Sequence, residues 1–83
     1  MYKNRAMNGR NNFSGERIKR FRLNLKGKPS QRQFAEMLQI AGLDIDKNAV
    51  QRIESGERFV TDIEIRVIAK VLNVTFNDLL ADE

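Results

Sequence analysis

Apolar and polar positions recur with a helical period between residues 46 and 56. At about 100° per residue, Ala49, Val50 and Ile53 share one face, and hydrogen-bonding side chains fill the opposite one. Asp46 can cap the start by accepting a backbone N–H, and Gly56 can end the helix in the left-handed conformation. The pattern predicts a short amphipathic helix with sharp ends, which we call the central helix.

A second amphipathic helix is predicted just before the central one. Ser30 can cap its start together with Gln33, and Gly42 can end it. The spacing i, i+3, i+4, i+7 between these ends is filled by Phe34, Met37, Leu38 and Ala41. Two short helices joined by a turn are typical of a helix-turn-helix unit.

Three more helices are expected, one before this pair and two after it. The first follows a cap at Ser14 and stops before Gly27 and Pro29. The fourth begins with a capping box at Thr61 and stops at Asn73, and a short fifth helix follows. The side chains expected to face the core from the first and last of these helices are Ile18, Phe21, Leu25, Phe76, Leu79 and Leu80.

The fourth helix carries two apolar stripes. The usual core face comprises Ile65, Ile68, Ala69 and Leu72. A second stripe, about 150° away around the helix, comprises Ile63, Val67 and Val71. Either the fifth helix and the N-terminal tail cover this second stripe, or a two-fold partner does. Because exposed apolar patches usually mark interfaces, we favour a dimer surface.

An ordered set of short motifs runs through the predicted helices. Its members are Ile18 and Arg22 in the first helix, Ser30-Gln31 and Phe34-Ala35 in the second, Val50, Arg52-Ile53-Glu54 and Gly56 in the third, Ile65, Ile68-Ala69 and Leu72-Asn73-Val74 in the fourth, and Asp78-Leu79 in the fifth. This set resembles the helix-turn-helix DNA-binding domains of the Cro/C1 repressor class, also called the Xre family. The resemblance implies a compact, all-α, five-helix domain like that of lambda repressor. It also implies a structural ion pair between Arg22 and Glu54.

The second and central helices are spaced more widely than the family pattern. Ala35 and Glu54 lie 54 − 35 = 19 positions apart, about five more than this family usually needs in the unit. We expect the surplus in Gln39–Asp44, as an extra turn of helix and a longer loop. Such a connection could shift the presentation of the central helix by one turn toward Ser55.

The residue types restrict the possible functions. Eighty-three residues suffice for one domain, and the absence of cysteine and histidine excludes disulfides, thiol nucleophiles and imidazole acid–base chemistry. The remaining serines, threonines and carboxylates mostly occupy capping positions, so we expect neither an enzyme nor a metal or other cofactor. No long apolar run or signal-peptide pattern is present, which favours a cytoplasmic protein without membrane contact.

The charges are distributed unevenly along the chain. Residues 1–32 hold ten Lys/Arg and a single acid, Glu16, whereas residues 33–83 hold five Lys/Arg and ten acids. A basic end favours a polyanion such as nucleic acid, although the same charges could simply keep a small helical protein soluble. The helix-turn-helix pattern favours the first interpretation.

Residues 1–13 lack a helical period and are expected to form a flexible basic tail before a domain spanning 14–83. Basic and apolar side chains are interleaved in it, namely Tyr2, Lys3, Arg5, Met7, Arg10 and Phe13. Simple disorder is the favoured interpretation of this tail. An arm that reaches along DNA is the alternative.

The candidate DNA contacts fall into two groups. The polar face of the central helix carries Lys47, Asn48, Gln51 and Arg52. These side-chain types can hydrogen-bond guanine and adenine edges in the major groove, although a solvated helix face would have a similar composition. The resemblance also implies phosphate contacts at the start of the second helix and beside it, and the residues we assign to these contacts are Lys28, Gln31, Arg32 and Arg58.

Together these features predict a domain that binds double-stranded DNA sequence-specifically, as a homodimer on a palindromic operator. We expect a small transcriptional regulator and favour a repressor over an activator. The alternatives are an antitoxin or phage-type control protein that acts mainly through protein–protein binding, and an RNA-binding or nonspecific nucleic-acid-binding protein. The last class would show strong salt dependence with little preference between duplex sequences.

Overall fold

A computed structural model describes residues 11–81 of the chain. This part contains five helices and no strand: α1 (Gly15–Asn24), α2 (Gln31–Ile40), α3 (Lys47–Ser55), α4 (Asp62–Leu72) and α5 (Phe76–Leu80). The expected all-α, five-helix architecture is therefore confirmed. None of these helices is long and apolar enough to cross a membrane.

Side-chain caps fix the starts of α2 and α3 where the sequence predicts them. The hydroxyl of Ser30 accepts a hydrogen bond from the backbone N–H of Gln33, and the side-chain oxygen of Gln33 accepts from the N–H of Ser30. The Asp46 carboxylate accepts from the N–H of Ala49 at 2.8 Å. Gly56 ends α3 with a φ of 87°, a left-handed conformation that costs glycine little.

The core lies between all five helices. α3 packs against α1 and α2, α4 contacts α1 and α2, and α5 closes the bundle against α1 and α4. The largest fully buried side chains are Ile18, Phe34, Leu38, Val50, Ile53, Ile68 and Leu79. The central helix, α3, thus has a buried side that is anchored in the core and a polar side that faces away from it.

The start of α1 differs from the expectation. The Ser14 side chain makes no capping hydrogen bond. The side-chain oxygen of Asn12 instead accepts from the N–H of Gly15 at 2.8 Å. Ser14 is buried, and the cap is displaced from it by two residues toward the N-terminus.

The expectation that Phe76, Leu79 and Leu80 all face the core is wrong. Leu79 is fully buried, whereas Phe76 is 52% exposed and Leu80 is 46% exposed. On an α-helix, Phe76 and Leu80 lie about 60° and 100° from Leu79 in the same direction. A helix of five residues that points Leu79 into the core therefore turns the other two toward solvent.

The connection between α2 and α3 is a six-residue loop, residues 41–46. The expected surplus in Gln39–Asp44 is mostly in this loop, since α2 ends at Ile40. The loop is tied at both ends: the side-chain amide of Gln39 donates to the carbonyl of Ile45 at 2.8 Å, and the N–H of Leu43 donates to the carbonyl of Leu38 at 2.9 Å. Ile45 is buried beneath it. The longer connection is therefore fixed by hydrogen bonds and by the burial of Ile45, immediately before the cap of α3.

Candidate nucleic-acid interface

The polar face of α3 is presented to solvent. Lys47, Asn48, Gln51 and Arg52 are all exposed, whereas Val50 and Ile53 on the opposite side of the helix, and Glu54 at the edge of the polar face, are buried. None of the four exposed side chains forms a hydrogen bond or ion pair with residues 11–81. Their donors and acceptors remain available for a partner.

The N-termini of α2 and α3 border one open cleft. Its volume is about 550 Å³, and its walls are formed by Ser30, Gln31, Arg32, Asp46, Lys47 and Asn48. Backbone N–H groups at helix N-termini carry a partial positive charge, to which the side chains of Arg32 and Lys47 add. The carboxylate of Asp46 opposes them in part, although one of its oxygens is engaged by the N–H of Ala49. The cleft is consequently suited to an anion such as a backbone phosphate.

A buried ion pair lies behind this cleft. The Nε of Arg22 lies 2.7 Å from Oε2 of Glu54, and its Nη2 lies 2.9 Å from Oε1. The two side chains are 7% and 2% exposed. A third hydrogen bond joins Nη1 of Arg22 to the carbonyl of Pro29, immediately before the cap of α2. The structure therefore brings together the two residues that the family resemblance pairs. Their hydrogen bonds link α1, α3 and the start of α2.

Gln31 extends this network toward the surface. Its Nε2 donates to Oε1 of Glu54 at 3.0 Å, and the residue is half-buried. Arg32, the next residue, is exposed. Two of the proposed phosphate contacts therefore lie side by side at the start of α2, one of them held by an internal carboxylate.

The other two proposed phosphate contacts lie in different surroundings. Lys28 is exposed in the turn before α2, with a φ of 43°. Arg58 forms a two-pronged ion pair with Glu64, with Nη1–Oε1 and Nη2–Oε2 distances of 3.0 Å and 2.8 Å. The hydrogen bond between them raises the pKa of Arg58 and lowers the pKa of Glu64. Arg58 thus stabilises the start of α4, and a phosphate would have to compete with Glu64 for its guanidinium.

Two asparagines that the sequence places in the tail are part of the domain. The side-chain amide of Asn12 donates to the carbonyls of Ile53 and Arg58, at 2.9 Å and 2.8 Å. The N–H of Asn11 donates to the carbonyl of Gly56 at 2.8 Å. These bonds tie residues 11 and 12 to the end of α3, within the stretch expected to form a flexible tail. The remaining candidates of the tail, within residues 1–10, lie outside the described residues.

The proposed dimer surface on α4 is only partly exposed. Ile63 is 70% exposed, whereas Val67 and Val71 are half-buried and pack against the core. Three other apolar side chains, Phe13, Phe59 and Leu80, are about half exposed and line a groove of about 490 Å³ beside the start of α4. The second stripe is therefore divided between the core and the surface.

Among residues 11–81, no cluster of three or more His, Cys, Asp or Glu side chains could hold a metal ion. The described carboxylates serve as caps or ion-pair partners where they are buried, as Glu54 and Glu64 show.

Comparison with known proteins identifies the fold. Residues 18–79 match a family model described as helix-turn-helix. The chain is also similar to the crystal structure of the restriction-modification controller protein C.AhdI from Aeromonas hydrophila, with 27% sequence identity, a TM-score of 0.66, and coverage of 80% of this chain and 86% of that chain. No curated protein sequence matches the chain. The chain belongs to the Cro/C1-type helix-turn-helix family of DNA-binding transcriptional regulators.

Proposed function

We propose that the protein reads a specific duplex sequence by placing α3 in the major groove. The observation that carries this proposal is the exposed face of α3, where Lys47, Asn48, Gln51 and Arg52 have no partner among the described residues. The major groove admits one α-helix, and each base pair presents a distinct pattern of donors and acceptors there. Asn48 and Gln51 are suited to adenine edges, and Lys47 and Arg52 to guanine edges.

Phosphate contacts orient this helix in the proposed complex. The cleft between the N-termini of α2 and α3 receives one phosphate, which Gln31 and Arg32 bind from the side of α2. Lys28, in the turn before α2, adds a contact to the same strand. Arg58 joins them where a phosphate displaces Glu64. Such contacts fix the register of a protein on DNA but carry no sequence information themselves.

The protein binds its operator as a two-fold dimer in this proposal, through the exposed face of α4. Ile63 on that face is flanked by Asp62 toward the N-terminus and by Arg66 and Lys70 toward the C-terminus, all exposed. An antiparallel pair of α4 helices that brings Asp62 to the partner's Lys70 is centred on Arg66, with Ile63 about one turn from the two-fold axis on each side. The Asp62–Lys70 contact then occurs twice, as an isologous interface requires. A two-fold dimer implies a palindromic operator.

In this proposal the protein regulates transcription in the cytoplasm by occupying its operator, and no catalytic step is involved. A protein bound at a promoter excludes other proteins from the same base pairs, so we assign it the role of a repressor. The similarity to a protein described as a restriction-modification controller supports a regulatory role and favours it over a protein that acts mainly by binding another protein.

Selection of bound sequences from a random duplex pool tests this function. The expected result is an enriched palindrome whose two halves are bound by the two α3 helices of a dimer. Enrichment without two-fold symmetry would refute the dimer, and the absence of any enriched sequence would refute sequence-specific binding.

A further inference from the structure

One oxygen of Glu54 serves two partners from two different helices. Oε1 accepts from Nη2 of Arg22 at 2.9 Å and from Nε2 of Gln31 at 3.0 Å. Arg22 and Glu54 are buried, whereas Gln31 reaches the wall of the open cleft. A carboxylate in the interior therefore holds a side chain that faces the surface at the start of α2.

This contact restricts the orientation of the Gln31 amide. The amide group is planar, so when one N–H points to Glu54, the directions of the second N–H and of the carbonyl oxygen are largely fixed. A free surface glutamine would lose rotamer freedom on binding a phosphate. Gln31 has lost much of this freedom on folding, which makes it a preorganised donor.

Charge balance makes this arrangement compatible with an anion nearby. A lone carboxylate behind the cleft would repel a phosphate, but Arg22 pairs with both oxygens of Glu54. Arg22 also donates to the carbonyl of Pro29 and so holds the turn that leads to the cap at Ser30. The same network thus fixes the backbone at the start of α2 and its first side chain.

We propose that Glu54 is a positioning residue for DNA binding, which holds the Gln31 amide so that its second N–H donates to a backbone phosphate. The inference rests on the proposed function and deepens it. Glu54 touches no DNA in this arrangement and acts through Gln31. Its effect is on a phosphate contact, so it applies to all duplex sequences alike.

A double-mutant cycle tests this coupling. Gln31→Ala should weaken binding about tenfold, the effect of losing a hydrogen bond to a charged group. Glu54→Gln should weaken it about fivefold in the wild-type background and have no further effect in the Gln31→Ala background. If the fold-loss in affinity of the double variant equals the product of the two single losses, the residues act independently and the proposal is overturned. Glu36→Gln on the exposed face of α2 removes the same charge and serves as the matched control.

A comparison of binding to a specific and to a random duplex distinguishes this role of Glu54 from a general distortion of the domain. If Glu54 acts through Gln31, Glu54→Gln should weaken binding to a specific and to a random duplex by the same factor. A displaced α3 would lower affinity mainly for the specific duplex, and that result would overturn the proposal. If the wild-type protein shows no preference between duplexes at all, the proposed function fails, irrespective of Glu54.

A measurement on the wild-type protein covers the case in which Glu54→Gln does not fold. In NMR spectra, the Gln31 side-chain amide should be ordered in the free protein and should change little in order parameter on binding DNA. A mobile amide in the free protein, or one that leaves Glu54 in the complex, would overturn the proposal.

Discussion

The guanidinium of Arg22 and the carboxylate of Glu54 meet in the interior through two hydrogen bonds of 2.7 Å and 2.9 Å. Because Arg22 belongs to α1 and Glu54 to α3, this pair fixes the position of α3 relative to the rest of the bundle. The polar face of α3 can then meet DNA as a rigid surface.

Removing one partner of this pair should destabilise the domain strongly. Arg22→Ala strands a buried carboxylate, so we expect a loss of about 3–5 kcal/mol in the free energy of unfolding, measured by urea denaturation. Arg20→Ala, at an exposed position of α1, is the control and should cost under about 1 kcal/mol. A similarly small loss for Arg22→Ala would contradict the structural role of the pair.

The hydrogen bonds of Asn12 to Gly15, Ile53 and Arg58 form a clamp between the start of α1 and the end of α3, which should also contribute to stability. Asn12→Ala removes the cap of α1 and leaves the buried carbonyl of Ile53 without this donor, so we expect a loss of about 2–3 kcal/mol in thermal or urea unfolding. Asn24→Ala changes an exposed asparagine at the end of α1 and should cost less than about 0.5 kcal/mol. Equal effects of the two substitutions would mean that the clamp is not important for stability.

The ion pair of Arg58 and Glu64 predicts a pH dependence of stability. The hydrogen bond from Arg58 lowers the pKa of Glu64 in the folded protein, whereas the unfolded value is about 4.3. Stability from this group is therefore present above about pH 4.3 and is lost as the pH falls through the lower, folded pKa. The stability difference between wild type and Glu64→Gln should shrink over that acidic range, as followed by thermal unfolding at a series of pH values. A difference that is unchanged by acid would show that the pair makes no such contribution.

The proposed dimer predicts that a charge on the exposed face of α4 produces monomers. Ile63→Glu should lower the mass measured by multi-angle light scattering from dimer to monomer without loss of helix content, because Ile63 is 70% exposed and its replacement leaves the core intact. Ile40→Glu is the matched control, since Ile40 is an exposed isoleucine on a different helix. A wild-type protein that stays monomeric at high concentration would contradict the interface.

Local features of the fold are predictable from the sequence because their chemistry is local. The caps at Ser30, Asp46 and Thr61 each join positions three residues apart, so composition and spacing suffice. The clamp is different. Asn12 reaches the carbonyl of Ile53 across 41 positions, and its local sequence gives no sign of this long-range contact. An asparagine shortly before a predicted helix is a possible cap, and this was the one signal that could have revealed it.

The candidate site is predictable to a similar degree. The face of α3 follows from helical periodicity, and the structure leaves it exposed. The ion pair of Arg58 with Glu64 does not follow, because charge alone does not reveal which anion a basic side chain meets. The hydrogen bond of Gln31 to Glu54 depends on how α2 crosses α3, which is a matter of tertiary packing.

Binding of α3 variants to two duplexes tests the central claim most directly. Gln51→Ala and Arg52→Ala should each cost about 1–3 kcal/mol on the selected duplex and much less on a random one, because only a base contact discriminates between sequences. Arg32→Ala, which removes a proposed phosphate contact, should weaken both complexes alike and flatten the slope of log affinity against log salt by about one. Equal losses on both duplexes for Gln51→Ala and Arg52→Ala would contradict the reading of DNA by α3.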